Sequence, residues 1–160
     1  MARRILESMA HRGIGVLAAC VGLAIPASAS APGLLSATAT VIAILADELF
    51  IGEAEGHVDG AGTLAIHSQK TPALTCIGEF TSSAELGGEG QLHCSDSSSA
   101  TFHFQRLGMR KGHGAGSFSR GAMSFSYGLA APEATRYLTL PKGKKLAYDG
   151  KELTLVELSD

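Results

Sequence analysis

Three segments of this chain repeat one pattern, Gly-x-Gly followed by an apolar residue two positions later. They are residues 60–64, 88–92 and 114–118, and they begin 28 and then 26 residues apart. A short polar stretch and a turn follow each segment, and then a second run with an apolar residue at every other position. A period of two is what a β-strand with one buried face requires. Each unit therefore predicts a β-hairpin.

The alternation also assigns the two faces of the predicted strands. The inward residues share even numbers, and the polar residues between them are odd-numbered and predicted to face outward. The predicted inward set is Leu64, Ile66, Leu74, Cys76, Phe80, Leu92, Cys94, Phe102, Phe104 and Phe118. The outward set is His67, Thr75, Glu79, His93, Thr101 and His103.

Further strands are predicted on both sides of the repeat. Residues 41–45 and 49–53 predict a hairpin upstream, and residues 132–137 predict a short helical turn downstream. Strands are then expected near residues 137–140, 145–148 and 152–158, the last two joined by Asp149-Gly150, which is a strong hairpin signal. In the third unit, Arg120-Gly121 is the predicted turn, which places Phe118 opposite Met123. After this turn the inward apolar residues have odd numbers: Met123, Phe125 and Tyr127.

These elements predict an all-β fold of about ten strands, built from meandering antiparallel hairpins. A sheet of that size with one apolar face must cover that face, so we expect a curled sheet, a barrel or a sandwich. Glycine supports this interpretation. Twenty of the 160 residues are glycine, about 12% against a usual 7% or so, as turns and close backbone approaches require.

Two segments add a family resemblance. In Phe50-Ile-Gly52-Glu53 and Cys76-Ile-Gly78-Glu79-Phe80 a bulky residue precedes x-Gly-Glu, and Gly-x-Gly-x-Leu follows eight to ten residues later. This pattern resembles the MORN repeat, a glycine-rich β-hairpin unit, over roughly residues 50–118. The resemblance implies a meandering sheet and an interaction scaffold, and it carries over neither a substrate nor catalytic residues.

The N-terminus has the three parts of a secretion signal. Arginines lie in the first dozen residues, an apolar run covers residues 14–25, and Pro26-Ala27-Ser28-Ala29 forms a small-x-small cleavage site. We predict cleavage between Ala29 and Ser30, which gives a signal peptide of residues 1–29 and one glycine-rich domain of residues 30–160. The expected location is the periplasm or the medium. The alternative is a lipoprotein anchored through Cys20, because Leu17-Ala18-Ala19-Cys20 resembles a lipobox.

Removing the signal leaves two cysteines, Cys76 and Cys94. If the strand at residues 76–80 pairs antiparallel with residues 90–94, and Gly78 lies opposite Leu92, then Cys76 lies opposite Cys94. Directly opposed residues bring their Cβ atoms within reach of a bond, and an oxidising compartment favours it. We therefore predict a Cys76–Cys94 disulfide. Two reduced core cysteines are the alternative if the protein stays in the cytosol.

Two outward histidines form a candidate metal site. Aligning Leu92 and Cys94 with Phe102 and Phe104 sets His93 opposite His103, and such a pair supplies two ligands of an incomplete metal site. A solvated polar face is the alternative interpretation.

The neighbouring Ser95 and Asp96 suggest a hydrolase, but Asp96-Ser-Ser-Ser99 is also typical of a turn, and no nucleophile elbow follows. We expect no catalytic residues and no cofactor.

The charge balance limits the partners. A formal net charge of −2 does not provide the basic stripe that nucleic-acid binding needs. The sequence therefore predicts an exported, non-enzymatic β-domain that binds an unidentified envelope protein or serves a structural role. The alternative is a small-ligand or metal-binding module that uses the outer histidine face. Membrane anchoring is expected only if Cys20 is lipidated.

Overall fold

A computed structural model describes residues 36–83 and 85–158 of the chain. The predicted cleavage point at Ala29 and Ser30 and the alternative anchor Cys20 lie outside the described residues. The ten strands are β1 (Ser36–Leu45), β2 (Glu48–His57), β3 (Ala61–Ser68), β4 (Thr75–Ser83), β5 (Gly87–Cys94), β6 (Ser99–Gly108), β7 (Lys111–Phe118), β8 (Gly121–Tyr127), β9 (Lys144–Tyr148) and β10 (Leu153–Glu157). The predicted all-β class is confirmed.

Strands β1 to β8 form a closed antiparallel barrel in sequence order. Each strand pairs with the next, and β8 returns to pair with β1, with Ala43 opposite Phe125. Closure removes both free edges of the sheet and encloses its apolar face. Of the three arrangements expected from the sequence, a curled sheet, a barrel or a sandwich, the chain therefore adopts the barrel.

The inward face carries the predicted alternation. Leu64, Ile66, Cys76, Leu92 and Phe102 are buried in one core inside the barrel. The predicted change to odd numbers in β8 is also confirmed, because Met123 and Phe125 join the same core.

The turn between β7 and β8 differs from the prediction by one residue. Ser119 and Arg120 form it, and Phe118 lies opposite Gly121 instead of Met123. Ser119 is bonded to Ser99 of β6. The Ser99 carbonyl accepts hydrogen bonds from the Ser119 N–H at 2.8 Å and from the Ser119 hydroxyl at 2.9 Å. These bonds end β7 at Phe118.

The repeated glycines make room for aromatic rings inside the barrel. A Cβ atom added to Gly62 of β3 would collide with the Phe80 ring of β4, and one added to Gly114 of β7 would collide with the Phe125 ring of β8. Glycine is therefore required at these positions because the neighbouring ring lies directly over the backbone.

The C-terminal segment covers the outside of β1 and β2. After β8 come a short helix, α1 (Ala131–Ala134), and a 3₁₀ turn (Thr135–Tyr137), as predicted, and then the β9–β10 hairpin. Together they form a second buried cluster, which is made up of Ile42, Ile44, Leu49, Leu129, Ala134, Leu138 and Leu153.

The strand predicted near residues 137–140 is wrong. Leu138 is buried in this cluster, and the Thr139 N–H donates to the Ser124 hydroxyl at 2.9 Å. The segment is therefore held by a side chain on the outer surface of the barrel instead of by strand pairing. In the part of the chain that the structure describes, no helix is both long enough and apolar enough to span a membrane.

Candidate functional site

The two ends of the barrel differ in how their interiors are filled. One end, called here the closed end, carries the turns β1–β2, β3–β4, β5–β6 and β7–β8. Its interior is packed by Phe50, Ile66, Met123 and the disulfide Cys76–Cys94. The cysteines lie opposite each other in the predicted register, with Gly78 opposite Leu92. The predicted disulfide is confirmed.

The other end, called here the open end, holds a cavity of about 490 Å³ that leads into the barrel. The cavity exists because β1 and β2 place only small residues inward near this end: Ala39, Ala54 and Gly56. The opposite wall is aromatic. A volume of this size falls within the range of small-molecule sites.

The aromatic wall is fixed by edge-to-face contacts between rings. The Phe104 ring lies 5.6 Å from the Phe80 ring and 5.9 Å from the Tyr127 ring, both nearly perpendicular to it. Deeper inside, Phe102 and Phe125 pack at 5.1 Å. Such pairs hold their rings in place, so this wall of the cavity is formed before any ligand enters.

One guanidinium group projects into this apolar space. Arg106 occupies the next inward position of β6 after Phe104, and its Nη2 donates to the Ser82 hydroxyl of β4 at 2.8 Å. Its Nε is buried and has no hydrogen-bond partner among the described residues.

No carboxylate offsets this charge. Within residues 36–83 and 85–158, Arg106 forms no ion pair. Asp59 is the one acidic residue among the described residues that line the cavity, and its Oδ1 accepts the Ala61 N–H of its own turn at 3.0 Å. Arg106 is half-buried, and a cation that is partly removed from water is normally paired, because leaving it unpaired is costly. Arg106 therefore has unused capacity to bind an anion.

Tyr127 supplies a hydroxyl to the same cavity. Burial raises the pKa of its phenol above the ordinary value of 10.0, and the nearby Arg106 charge acts in the opposite direction. Tyr127 is therefore a neutral hydrogen-bond donor at physiological pH. Together with Arg106, it gives the cavity two donor side chains near its mouth and an apolar interior, whereas the Ser82 hydroxyl already donates to the Gly60 carbonyl at 3.2 Å.

The sequence-predicted metal pair is not formed. His93 of β5 lies opposite Ser99, and His103 of β6 lies opposite Glu89. The two histidines are thus offset by four residues, about 13 Å along the strands. The predicted register was wrong because the β5–β6 turn is tight: Ser97 has a φ of 67° and the Cys94 N–H bonds the Ser98 carbonyl at 2.8 Å. Among the described residues no cluster of three potential metal ligands occurs.

Both histidines lie on the outer surface. His103 forms an exposed contact of 3.7 Å with Glu89, and such surface pairs contribute little to stability. The structure therefore places His93 and His103 on the predicted outer face but does not bring them together.

The Ser95–Asp96 segment serves the turn. Asp96 accepts hydrogen bonds from both the hydroxyl and the N–H of Ser98. These bonds, with a smaller contribution from Arg120 at 2.8 Å, hold the pKa of the Asp96 carboxyl below its ordinary value. The Ser95 hydroxyl donates to the Ala73 carbonyl at 3.3 Å. These side chains are thus engaged in local structure.

Arg106 is a candidate site residue that the sequence-predicted sites do not include. The sequence contains a pattern that places Arg106 inside the barrel, because Phe102, Phe104 and Arg106 are successive even-numbered residues of one predicted strand. A charged residue that continues an inward apolar series is unusual and points to a buried polar site.

No protein-family model, curated protein or solved structure matches this chain.

Proposed function

We propose that this protein is an exported, non-enzymatic binding protein whose barrel holds a small, mostly apolar ligand with one anionic group. The observation that carries the proposal is Arg106, a cation inside an apolar cavity with no acidic partner among the described residues. An anionic oxygen would accept from the free Nε–H, and burial strengthens such a bond.

The rest of the ligand follows from the walls. Apolar side chains line the cavity beyond the guanidinium: Val41, Leu64, Phe80, Phe104 and Phe125. Burial of a hydrocarbon chain or ring against them would supply most of the binding energy, and the single charge would orient the ligand. A carboxylate on an alkyl or aromatic body is the simplest ligand with both parts.

The experiment compares two probes that differ only in the head group. We expect dodecanoate to bind more tightly than dodecanol by isothermal titration calorimetry. A charge-assisted hydrogen bond contributes about 1.5–3 kcal/mol, which is roughly a tenfold to hundredfold preference. Arg106→Met should remove the preference and leave the binding of the alcohol nearly unchanged.

The matched control is Arg110→Met, since Arg110 is an exposed arginine at the cavity mouth. It should keep the preference. Equal affinity of the unaltered protein for both probes, or a preference that survives Arg106→Met, would contradict the proposal.

Export is the second part of the proposal. The signal-like residues 1–29 support it, and the Cys76–Cys94 bond is compatible with an oxidising compartment. The intact mass of the protein purified from an exporting bacterium should correspond to a chain that begins at Ser30. A mass that retains residues 1–29 would contradict cleavage, and a diacylglyceryl adduct on Cys20 would show the lipoprotein alternative.

A further inference from the structure

Three exposed apolar side chains lie on loops at the open end of the barrel. The three most exposed of the large hydrophobic residues are Met109 at 87%, Leu86 at 81% and Val58 at 74%. Each lies on a different loop, and all three loops (β2–β3, β4–β5 and β6–β7) are at the open end. Val58 and Met109 also line the cavity mouth. We call these three residues the apolar rim.

The closed end carries no such side chains among the described residues. Its turns are mostly polar, with Asp47, Lys70, Asp96 and Arg120 among their residues. Single exposed apolar residues are common on protein surfaces. Here, however, the three most exposed ones are gathered at one end of the barrel, at the end that opens into the cavity.

We infer that the apolar rim inserts into a lipid surface, so that the cavity opens directly onto the lipid. This inference rests on the proposed binding of an apolar, anionic ligand inside the barrel. Such a ligand has low solubility in water, and an opening pressed against lipid would let it pass between membrane and cavity without crossing bulk solvent.

The geometry favours lipid over a protein partner. The three apolar side chains lie on three separate loops, whereas a protein interface typically has a continuous, well-packed patch. A fluid lipid surface accommodates separate tips, and each buried apolar side chain adds to binding.

The charges around the rim balance in number, with two basic and two acidic residues. Arg110 and Lys111 directly follow Met109, and both are exposed. Glu85 stands beside Leu86 on the neighbouring loop, and the Asp59 carboxylate is bonded within its own turn. The β6–β7 loop therefore carries a local positive charge next to an inserting side chain.

The test is co-flotation of the purified protein with vesicles of phosphatidylethanolamine and phosphatidylglycerol. We expect the unaltered protein to float with the vesicles. The variant Val58→Ser/Leu86→Ser/Met109→Ser should lose about tenfold or more of its partitioning, since it loses three apolar insertions.

A matched control removes three exposed apolar residues that lie away from the rim. The variant Ile77→Ser/Tyr148→Ser/Leu158→Ser should float like the unaltered protein. Circular dichroism of both triple variants establishes that they are folded. A rim variant that floats as well as this control would overturn the inference, and so would an unaltered protein that does not float at all.

The ligand site and the lipid contact can be separated. Arg106→Met should lose its preference for dodecanoate and still float, whereas the rim variant should keep its affinity for dodecanoate in solution. Dodecanoate transfer from vesicles to the rim variant should be slowed. Normal flotation by a protein that binds no dodecanoate would refute the proposed function and leave the lipid contact standing.

Discussion

Arg106 and Ser82 are joined across an intervening strand by a hydrogen bond of 2.8 Å from Nη2 to the hydroxyl. Arg106 belongs to β6 and Ser82 to β4, and β5 lies between them with Gly88 opposite Ser82. The guanidinium therefore reaches across β5 on the inside of the barrel wall. The bond fixes one edge of the guanidinium and leaves Nε directed elsewhere without a partner among the described residues.

Arg106→Met should leave the ligand-free protein as stable as before or more stable by about 1 kcal/mol. A half-buried cation without an acidic partner is mildly destabilising, and an apolar side chain of similar length removes that penalty. Urea unfolding measures the change. A loss of more than about 1 kcal/mol would show instead that the bond to Ser82 holds the barrel together, and would make Arg106 a structural residue.

Ala54→Leu should fill the cavity and abolish binding of dodecanoate. Ala54 faces inward on β2 and lines the cavity, so a larger apolar side chain would occupy the space of the ligand. The folding stability of the Ala54→Leu variant should be unchanged or slightly raised, because the added methyl groups enter open volume. Titration calorimetry and urea unfolding measure the two effects.

Ala65→Leu provides the control, since Ala65 lies on the exposed outer face of β3. It adds the same side chain outside the barrel and should bind dodecanoate normally. Loss of binding in both variants would locate the site elsewhere.

Tyr127 should make the fold less stable at alkaline pH. Burial raises the pKa of its phenol in the folded protein, against the opposing effect of Arg106. The unfolded chain then loses this proton first, at pH about 10, and stability falls as pH rises from there through the folded pKa. Below pH about 10 the contribution is fully present.

The protein has three tyrosines, so the titration must be assigned by substitution. In the ultraviolet difference spectrum, Tyr127→Phe should remove the latest-ionising phenol. The same variant should lose part of the alkaline decline in the free energy of unfolding. An unchanged alkaline titration in Tyr127→Phe would contradict the assignment.

The sequence predicted what depends on local periodicity. The hairpins, the inward residues such as Leu64 and Phe102, and the register that joins Cys76 to Cys94 all follow from alternation and short connections. The register of His93 was mispredicted because it depends on a tight turn around Ser97, whose left-handed backbone has no sequence signal as clear as glycine.

The cavity could not be predicted because it depends on closure of the barrel. Pairing of β1 with β8 joins residues that are about 80 positions apart, and no local pattern encodes it. Closure is what brings the small side chains of Ala39 and Ala54 across from the Phe104 ring. The same closure places Arg106, a charged residue that follows the inward apolar residues of β6, at the mouth of a cavity.

The Cys76–Cys94 disulfide should contribute about 3 kcal/mol to the free energy of unfolding. It joins two inward residues of adjacent strands with a sequence separation of 18, and closing a loop of this size restricts the unfolded chain by about that amount. Urea unfolding with and without reductant measures it. The variant Cys76→Ala/Cys94→Ala should be destabilised by a similar amount and should not respond to reductant.

Because the bond lies at the closed end, far along the barrel from Arg106, the reduced protein should still prefer dodecanoate over dodecanol wherever it remains folded. A stability that does not change on reduction would contradict the prediction, and a lost preference in the folded reduced protein would show that the closed end shapes the cavity.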